Sequence, residues 1–273
     1  MSRASRLLLL VVLTAPSALR AEEPPASAPA AAVEAAPDVR AAPAPSPRDA
    51  AFAEALAVYK QRASEPRHKA SQEKFVTLAA QYPKDYDLQI WCARTSYYYA
   101  HRRLQAGDSD ACSLIARQGV RCAKRAREID PKGYDGRYWW VMDRVKAGTS
   151  TGIRAALKAV KPMREFLEKM IADFPQRFEA YMCLGVLYRE LPSFISWGDD
   201  EKALLYLKKA EALGGRNPEL LLEVAEAYLK NGDDKAAIEY FQKVETSDVP
   251  THLEWETDDA RQWARKRIKD IRD

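Results

Sequence analysis

Residues 218–251 read PELLLEVAEAYLKNGDDKAAIEYFQKVETSDVPT, and this stretch decides the fold. Apolar residues recur at intervals of three and four on both sides of Asn231 and Gly232, which predicts two amphipathic helices separated by a turn. The small side chains of Ala225 and Ala237 let the two helices approach closely. The predicted packing positions are Leu221, Val224, Ala225 and Tyr228 on the first helix and Ala237, Phe241 and Val244 on the second.

The spacing of these positions matches the 34-residue helix-turn-helix pattern of tetratricopeptide repeats. A second unit covers residues 178–217, with Tyr181, Gly185 and Tyr188 on its first helix. Three weaker units begin near residues 135, 87 and 52, and no run of alternating β-branched residues suggests a strand. The sequence therefore predicts an all-α, tetratricopeptide-like α-solenoid of four to five helical hairpins.

The C-terminal residues 257–273 are acidic at their start and basic towards their end. This order suits the helix dipole and is typical of the polar capping helix that a solenoid needs.

Two of the units contain inserted turns. Six extra residues fall in the apolar segment 191–198, which includes Phe194 and Trp197 and is expected to pack on the domain. Nine extra residues fall within 147–158 and could form a short helix of their own, with Pro162 in the first turn of the helix that follows.

The N-terminal residues 1–21 have the features of a secretory signal peptide. Arg3 and Arg6 precede the apolar run 7–13, and small residues follow, so cleavage is expected after Ala18 or Ala21. The apolar run is far shorter than the roughly 20 residues that a membrane-spanning helix needs. The protein is therefore predicted to be periplasmic or secreted, with no stable membrane insertion.

Residues 22–47 are almost entirely Ala, Pro and Ser with a few charges, a composition that cannot bury a core. They are predicted to be a disordered linker, and a spacer is favoured over a Pro-rich recognition segment. The repeat domain then covers residues 48–273.

The charge balance gives little support for a polyanionic partner. The formal net charge is +4, and three arginines lie in the predicted signal peptide, so the mature chain would carry +1. Nucleic acid is therefore not expected as a partner.

No motif indicates catalysis or metal binding. The three histidines, His68, His101 and His252, stand in different units without metal-ligand spacing, and phosphate-binding loops, dinucleotide fingerprints and nucleophile elbows are missing from the sequence. The acidic run 199–201 lies where a helix begins, so capping explains it. We therefore predict no enzymatic activity, no catalytic residue, no metal and no cofactor.

The four cysteines leave two interpretations open. Cys112 and Cys122 share one predicted helix, ten residues or about 15 Å apart, which is beyond disulfide reach. Any bridge would therefore join Cys92 to Cys112 or to Cys122. The interpretation that we favour treats all four, including Cys183, as small buried apolar residues.

The first helix of each stacked unit turns a set of residues towards the concave face of a solenoid. At the fifth position these residues are large and apolar: Trp91, Trp139, Met182 and Leu222. At the ninth or twelfth position they are Tyr98, Asp143, Val186, Arg189 and Glu226. These nine residues are predicted to form a ligand or partner groove. The alternative, that the inserted segments cover them as core, is equally weighted.

Three segments add a family resemblance: GYDGRYWWVMDRVKAG (133–148), KPMREFLEKMIADFP (161–175) and ELPSFISWGDDEKALLYLKKA (190–210). Over roughly residues 87–244 the chain resembles the T component family of tripartite ATP-independent periplasmic (TRAP) transporters. It is more distantly similar to the regulator of microtubule dynamics family.

The resemblance implies a periplasmic helical-repeat protein that binds a solute-binding protein and has an apolar cleft for a small ligand. No cysteine precedes Cys92, so the lipid-modified cysteine of a lipoprotein is missing from this sequence. The alternatives are a scaffold for cell-envelope assembly, which would bind an envelope protein, and an enzyme of unknown class. The sequence leaves homo-oligomerisation open.

Overall fold

Helices are the only regular elements in the computed structural model, which describes residues 45–148, 153–191, 198–250 and 252–273 and, for residues 153–161, the backbone alone. The eleven helices in these ranges are α1 (Pro47–Lys60), α2 (Glu65–Gln81), α3 (Tyr86–Gln105), α4 (Ser109–Ile129), α5 (Tyr134–Ala147), α6 (Ile153–Asp173), α7 (Phe178–Glu190), α8 (Asp200–Gly214), α9 (Pro218–Lys230), α10 (Asp234–Glu245) and α11 (Glu254–Arg272). The predicted all-α class is confirmed.

The first ten helices form five consecutive hairpins, α1–α2, α3–α4, α5–α6, α7–α8 and α9–α10, and each hairpin packs on the next. The predicted tetratricopeptide-like solenoid is therefore confirmed, including its weakest unit, α1–α2. We use the term inner surface for the side of this array formed by the first helix of each hairpin.

Side-chain caps mark where most of these helices begin. The capping residues Ser46, Asp85, Asp108, Asp199, Asn217 and Asp233 each accept a hydrogen bond from a backbone N–H in the first turn of the helix that follows. Such a cap stabilises a helix by about 1 kcal/mol. The acidic run at 199–201 thus has the structural role expected from its position.

Small residues lie where the two helices of a hairpin approach most closely. In α7–α8, a Cβ atom added to Gly185 would lie 2.8 Å from Cγ of Leu207 and 3.0 Å from the carbonyl oxygen of Ala203. In α9–α10, Ala225 and Ala237 are completely buried. The approach therefore depends on the absence of larger side chains at these positions.

One of the two predicted inserts differs from the prediction, and most of the other lies outside the described residues. Residues from Ile153 onwards belong to a single helix, α6, so they extend the second helix of their unit and do not form a short helix of their own. Pro162 consequently lies inside α6 instead of in its first turn. The predicted packing of the other insert, with Phe194 and Trp197, falls on residues 192–197, outside the described ranges.

The cysteine interpretation that we favoured is wrong for one pair. Cys92 and Cys122 form a disulfide that joins α3 to α4, with their Cα atoms 6.0 Å apart. Cys112 and Cys183 are buried thiols outside this bridge. Periodicity places Cys92 and Cys122 on facing helices, but the relative rotation of those helices decides whether the sulfur atoms meet.

The helix α11 packs on α9 and α10, as expected of a capping helix. It also contacts the first two hairpins, since Arg62, in the turn after α1, pairs with Glu256, and Gln105 of α3 donates a hydrogen bond to Asp259. The two ends of the chain's helical array are therefore connected. In the described part of the chain, no helix combines the length and the apolar character that a bilayer span requires.

We expect Ala225→Leu or Ala237→Leu to lower the free energy of unfolding by about 1 to 3 kcal/mol, because each overpacks the contact between α9 and α10. Urea denaturation measures the effect. Ala212→Leu is the control, since Ala212 is exposed on α8 and should change stability by less than about 0.5 kcal/mol. Equal behaviour of all three variants would contradict the helix register.

Candidate functional site

The nine predicted groove residues lie in the interior of the protein. Eight are buried, and the Glu226 side chain, 10% exposed, is nearly so. Trp139 shows how complete the burial is: its ring lies 5.1 Å from that of Tyr138, 5.8 Å from that of Tyr97 and 6.0 Å from that of Tyr98. In this conformation these residues contact other parts of the chain, and their contact with a ligand or partner stays a prediction.

Trp91 belongs to an aromatic cluster at the N-terminal end of the array. Its ring stacks on Phe75 at 5.0 Å and meets Tyr59 edge-on at 5.2 Å. The guanidinium group of Arg94 lies 4.8 Å from the Trp91 ring, and the ring of His252, just before α11, lies 6.0 Å away. Trp91 thus sits between the first hairpins and the C-terminal segment.

Asp143 is completely buried, and its carboxylate group occupies the space beside Gly119, where an added Cβ atom would lie 2.3 Å from it. Within the described residues neither of its oxygens has a hydrogen-bond partner. Burial raises its pKa well above the ordinary value, although Lys146 acts in the opposite direction. Burial also lowers the pKa of Lys146 to about 7, and its Nζ lies 2.9 Å from Nδ1 of His101.

Arg189 is held by the neighbouring hairpin. It forms an ion pair with Glu223 of α9 and donates a hydrogen bond of 2.9 Å from Nη1 to the backbone carbonyl oxygen of the same residue. Burial raises the pKa of Glu223 to about 7, and the Arg189 guanidinium opposes this shift. The pair therefore links α7 to α9 inside the protein.

The helix α11 contacts two helices of the inner surface, α3 towards its N-terminal end and α9 towards its C-terminal end, and it also packs on α10. Nε of Arg62 donates to Oε1 of Glu256 at 2.9 Å, and Nη2 donates to the other carboxylate oxygen. The ring of Trp255 lies 5.5 Å from that of His68 and 5.1 Å from the Arg102 guanidinium group. Both members of the Arg62–Glu256 pair are almost completely buried.

In the C-terminal half of α11 the signs are reversed: the helix is basic and the last hairpin is acidic. Glu226 of α9 accepts a hydrogen bond of 3.0 Å from Nε1 of Trp263 and two, of 2.8 and 2.9 Å, from Arg267. Arg265 pairs with Glu245 of α10. The charged groups that contact α11 are therefore positive at its start, where Arg62 and Arg102 lie, and negative at its end, where Glu226 and Glu245 lie.

An apolar crevice remains between α3, α5, α6 and α7. It has a volume of about 20 Å³ and is lined by Tyr97, Val141, Met142, Val145, Leu167, Cys183, Val186 and Leu187. Small-molecule sites usually measure about 300 to 1,000 Å³, whereas about 10 to 15 Å³ suffices for one water. In this conformation the crevice therefore has room for little more than one water.

No group of three or more His, Cys, Asp or Glu residues suited to a metal ion occurs among the described residues.

Sequence reasoning missed the residues that hold α11 in place, notably Arg62, Arg102 and Glu256. One signal was available: Trp255 and Trp263 are eight residues apart and so share a face of an otherwise polar helix. Two aromatic residues on one face indicate that the helix packs against something. Their spacing does not say against what.

Comparison with known proteins supports the fold. TTC0263, a thermophilic TPR protein of Thermus thermophilus, matches with a TM-score of 0.59 and 19% identity over 81% of this chain and 99% of that chain. Structures of MamA also match, one with a TM-score of 0.40 and 14% identity over 78% of this chain and 96% of that one. A MamA from Desulfovibrio magneticus RS-1 gives 0.44 and 16% over 73% and 93%.

No protein-family model matches the sequence, and no curated protein does. At these identities the structural likeness shows the fold alone. The chain is thus a tetratricopeptide-like helical-repeat protein, a class of fold that is suited to protein–protein interaction and that hosts many functions.

We expect Trp139→Ala to lower the free energy of unfolding by about 3 to 5 kcal/mol, because it removes a completely buried aromatic side chain from a close-packed cluster. Trp140→Ala is the matched control. Trp140 is only partly buried, against Phe166, so its loss should cost less. Denaturant titration of both variants decides the matter, and a Trp139→Ala protein as stable as the parent would show that the side chain is not core.

The pKa of His68 predicts a pH dependence of stability. Burial lowers this pKa to about 3, and the positive charges of Arg102 and Arg62 act in the same direction. Below about pH 6.5 the His68 imidazole binds a proton in the unfolded chain but stays neutral in the folded chain. The contribution of His68 is therefore fully present above that pH and is lost as the pH falls towards 3.

Between pH 7 and pH 5, the parent protein should lose on the order of 2 kcal/mol more stability than His68→Gln, which cannot titrate. Denaturation curves at the two pH values measure the difference. Parallel losses in both proteins would mean that His68 titrates normally in the folded state.

Proposed function

We propose that this protein is an exported tetratricopeptide-type binding protein whose ligand is another protein, and that it acts as a T component-like auxiliary of a solute-binding protein in TRAP-type uptake. The observation that carries the choice of a protein partner is the chemistry of the inner surface. It presents charged and aromatic groups that already hold a helix, α11.

Export is supported by the leader-like residues 1–21 and by the Cys92–Cys122 disulfide, because disulfides persist in oxidising compartments. The linker at 22–47 would then separate the domain from the cleaved end. The specific transport role rests on the family resemblance of residues 87–244. A scaffold for envelope assembly is the second candidate, since the inner surface accepts a helix from any protein with matching charges.

The proposal predicts that the mature protein forms a stoichiometric complex with a periplasmic solute-binding protein encoded beside it. Size-exclusion chromatography with light scattering on the two purified proteins measures this directly. The control partner is a solute-binding protein of an unrelated uptake system from the same cell. Binding to neither protein, or equal binding to both, would contradict the transport role.

Mass spectrometry of the exported chain supplies an independent check. We expect a mature N-terminus after Ala18 or Ala21, and an uncleaved Met1 in the periplasmic fraction would contradict the predicted export.

A further inference from the structure

The contact between α11 and the inner surface is unusually polar for the interior of a domain. The apolar residues of α11 that are completely or almost completely buried are both small, Ala260 and Ala264. Leu253, just before the helix, is buried too. The remaining attachment is made by ion pairs, by the edges of Trp255 and Trp263 and by the partly buried side chains of Ile268 and Ile271. Interfaces of this kind resemble those between proteins that associate reversibly.

Several polar atoms around this contact are buried without a hydrogen bond. Among the described residues these are Nε and Nη2 of Arg94, Nε2 of His68, Oε2 of Glu219 and Oγ1 of Thr257. A buried polar atom without a partner is unfavourable, and exposure to water removes that penalty. When α11 detaches, these polar atoms gain hydrogen bonds to water, and this offsets part of the free energy that detachment costs.

The charges reinforce this point. Arg62 and Arg94 flank the Tyr59 ring, with guanidinium carbons 3.8 and 5.7 Å from its centroid, and α11 presents Glu256 to this pair. Burial raises the pKa of Glu219, and the carboxylates of Glu256 and Asp259 on α11 contribute in the same direction. The docked helix thus satisfies Arg62, leaves two nitrogens of Arg94 without a hydrogen bond and brings like charges together.

We propose that α11 is a displaceable occupant of the inner surface and that the protein partner inserts an amphipathic helix in its place. The partner helix carries carboxylates at the end that meets Arg62 and Arg94, and an aromatic residue with arginine or lysine at the end that meets Glu226. The inference rests on the proposed protein-binding function, and the sequence of α11 itself shows which chemistry fits this surface.

The segment before α11 is compatible with such movement. Residues 246–250 form no regular element, and His252 has a φ of +65°, a left-handed conformation that non-glycine residues adopt uncommonly. A change of conformation there would release that residue as α11 departs.

The test uses the whole chain and two matched variants on α11. Glu256→Gln removes the partner of Arg62, whereas Glu254→Gln changes an exposed carboxylate two residues away. Hydrogen exchange should accelerate at least about tenfold in residues 254–272 of Glu256→Gln, with α3 and α9 unchanged and Glu254→Gln like the parent. Equal acceleration in every helix would overturn the proposal, because α11 would then be an integral part of the core.

The binding arm uses a labelled synthetic peptide of residues 252–273 as the probe. A site that is occupied most of the time binds with an affinity reduced by the fraction of open molecules. The peptide should therefore bind Glu256→Gln at least about tenfold more tightly than the parent, and the added change Arg62→Met should abolish that gain. Equal binding to all variants would overturn the proposal.

Light scattering on the same samples separates the occupants. A Glu256→Gln dimer that takes up no peptide would overturn the partner helix in favour of exchange of α11 between two copies. Because no solute-binding protein is present, this outcome is independent of the transport test. If the peptide binds as expected but no complex forms with the solute-binding protein, displacement of α11 is established and the transport role is refuted.

Discussion

The close approach of two helices within each hairpin is the constraint on which the rest of the structure depends. Gly185 lies against Leu207, and Ala225 and Ala237 are completely buried, so the helix pairs pack at distances that larger side chains would prevent. Because each hairpin packs on the next, these distances determine how the array curves and where its inner surface lies. The position of every groove residue follows from them.

The inner surface combines two kinds of burial. Trp139 and its tyrosine neighbours form a conventional aromatic core, in which the stabilisation comes from apolar area and close packing. The region under α11 is different, since ion pairs such as Arg62–Glu256 hold it and several polar atoms there lack partners. Ion pairs lose much of their advantage on burial because both charges must shed water. The second region is therefore the part of the interior best suited to open.

The Arg62–Glu256 pair joins residues 194 positions apart in the chain. This contact turns an array that is normally open at both ends into one whose last helix reaches its first hairpin. It also gives the charge order of α11 a second role. The acidic start and basic end suit the helix dipole, and they also match the positive and negative groups that contact the two ends of α11.

The sequence by itself determined the helical hairpins, their number as four to five, the capping role of the acidic run 199–201 and the small packing residues, because these depend on contacts a few residues apart and so leave a period in the chain. It also predicted a ligand or partner groove that includes Trp91, Trp139 and Glu226, and this groove stays a prediction. The tertiary structure alone decided that these residues are buried, that Cys92 meets Cys122, that α6 begins at Ile153 and that α11 crosses to Arg62. Most of these outcomes depend on the relative rotation of helices and on contacts between distant parts of the chain, which local periodicity does not encode.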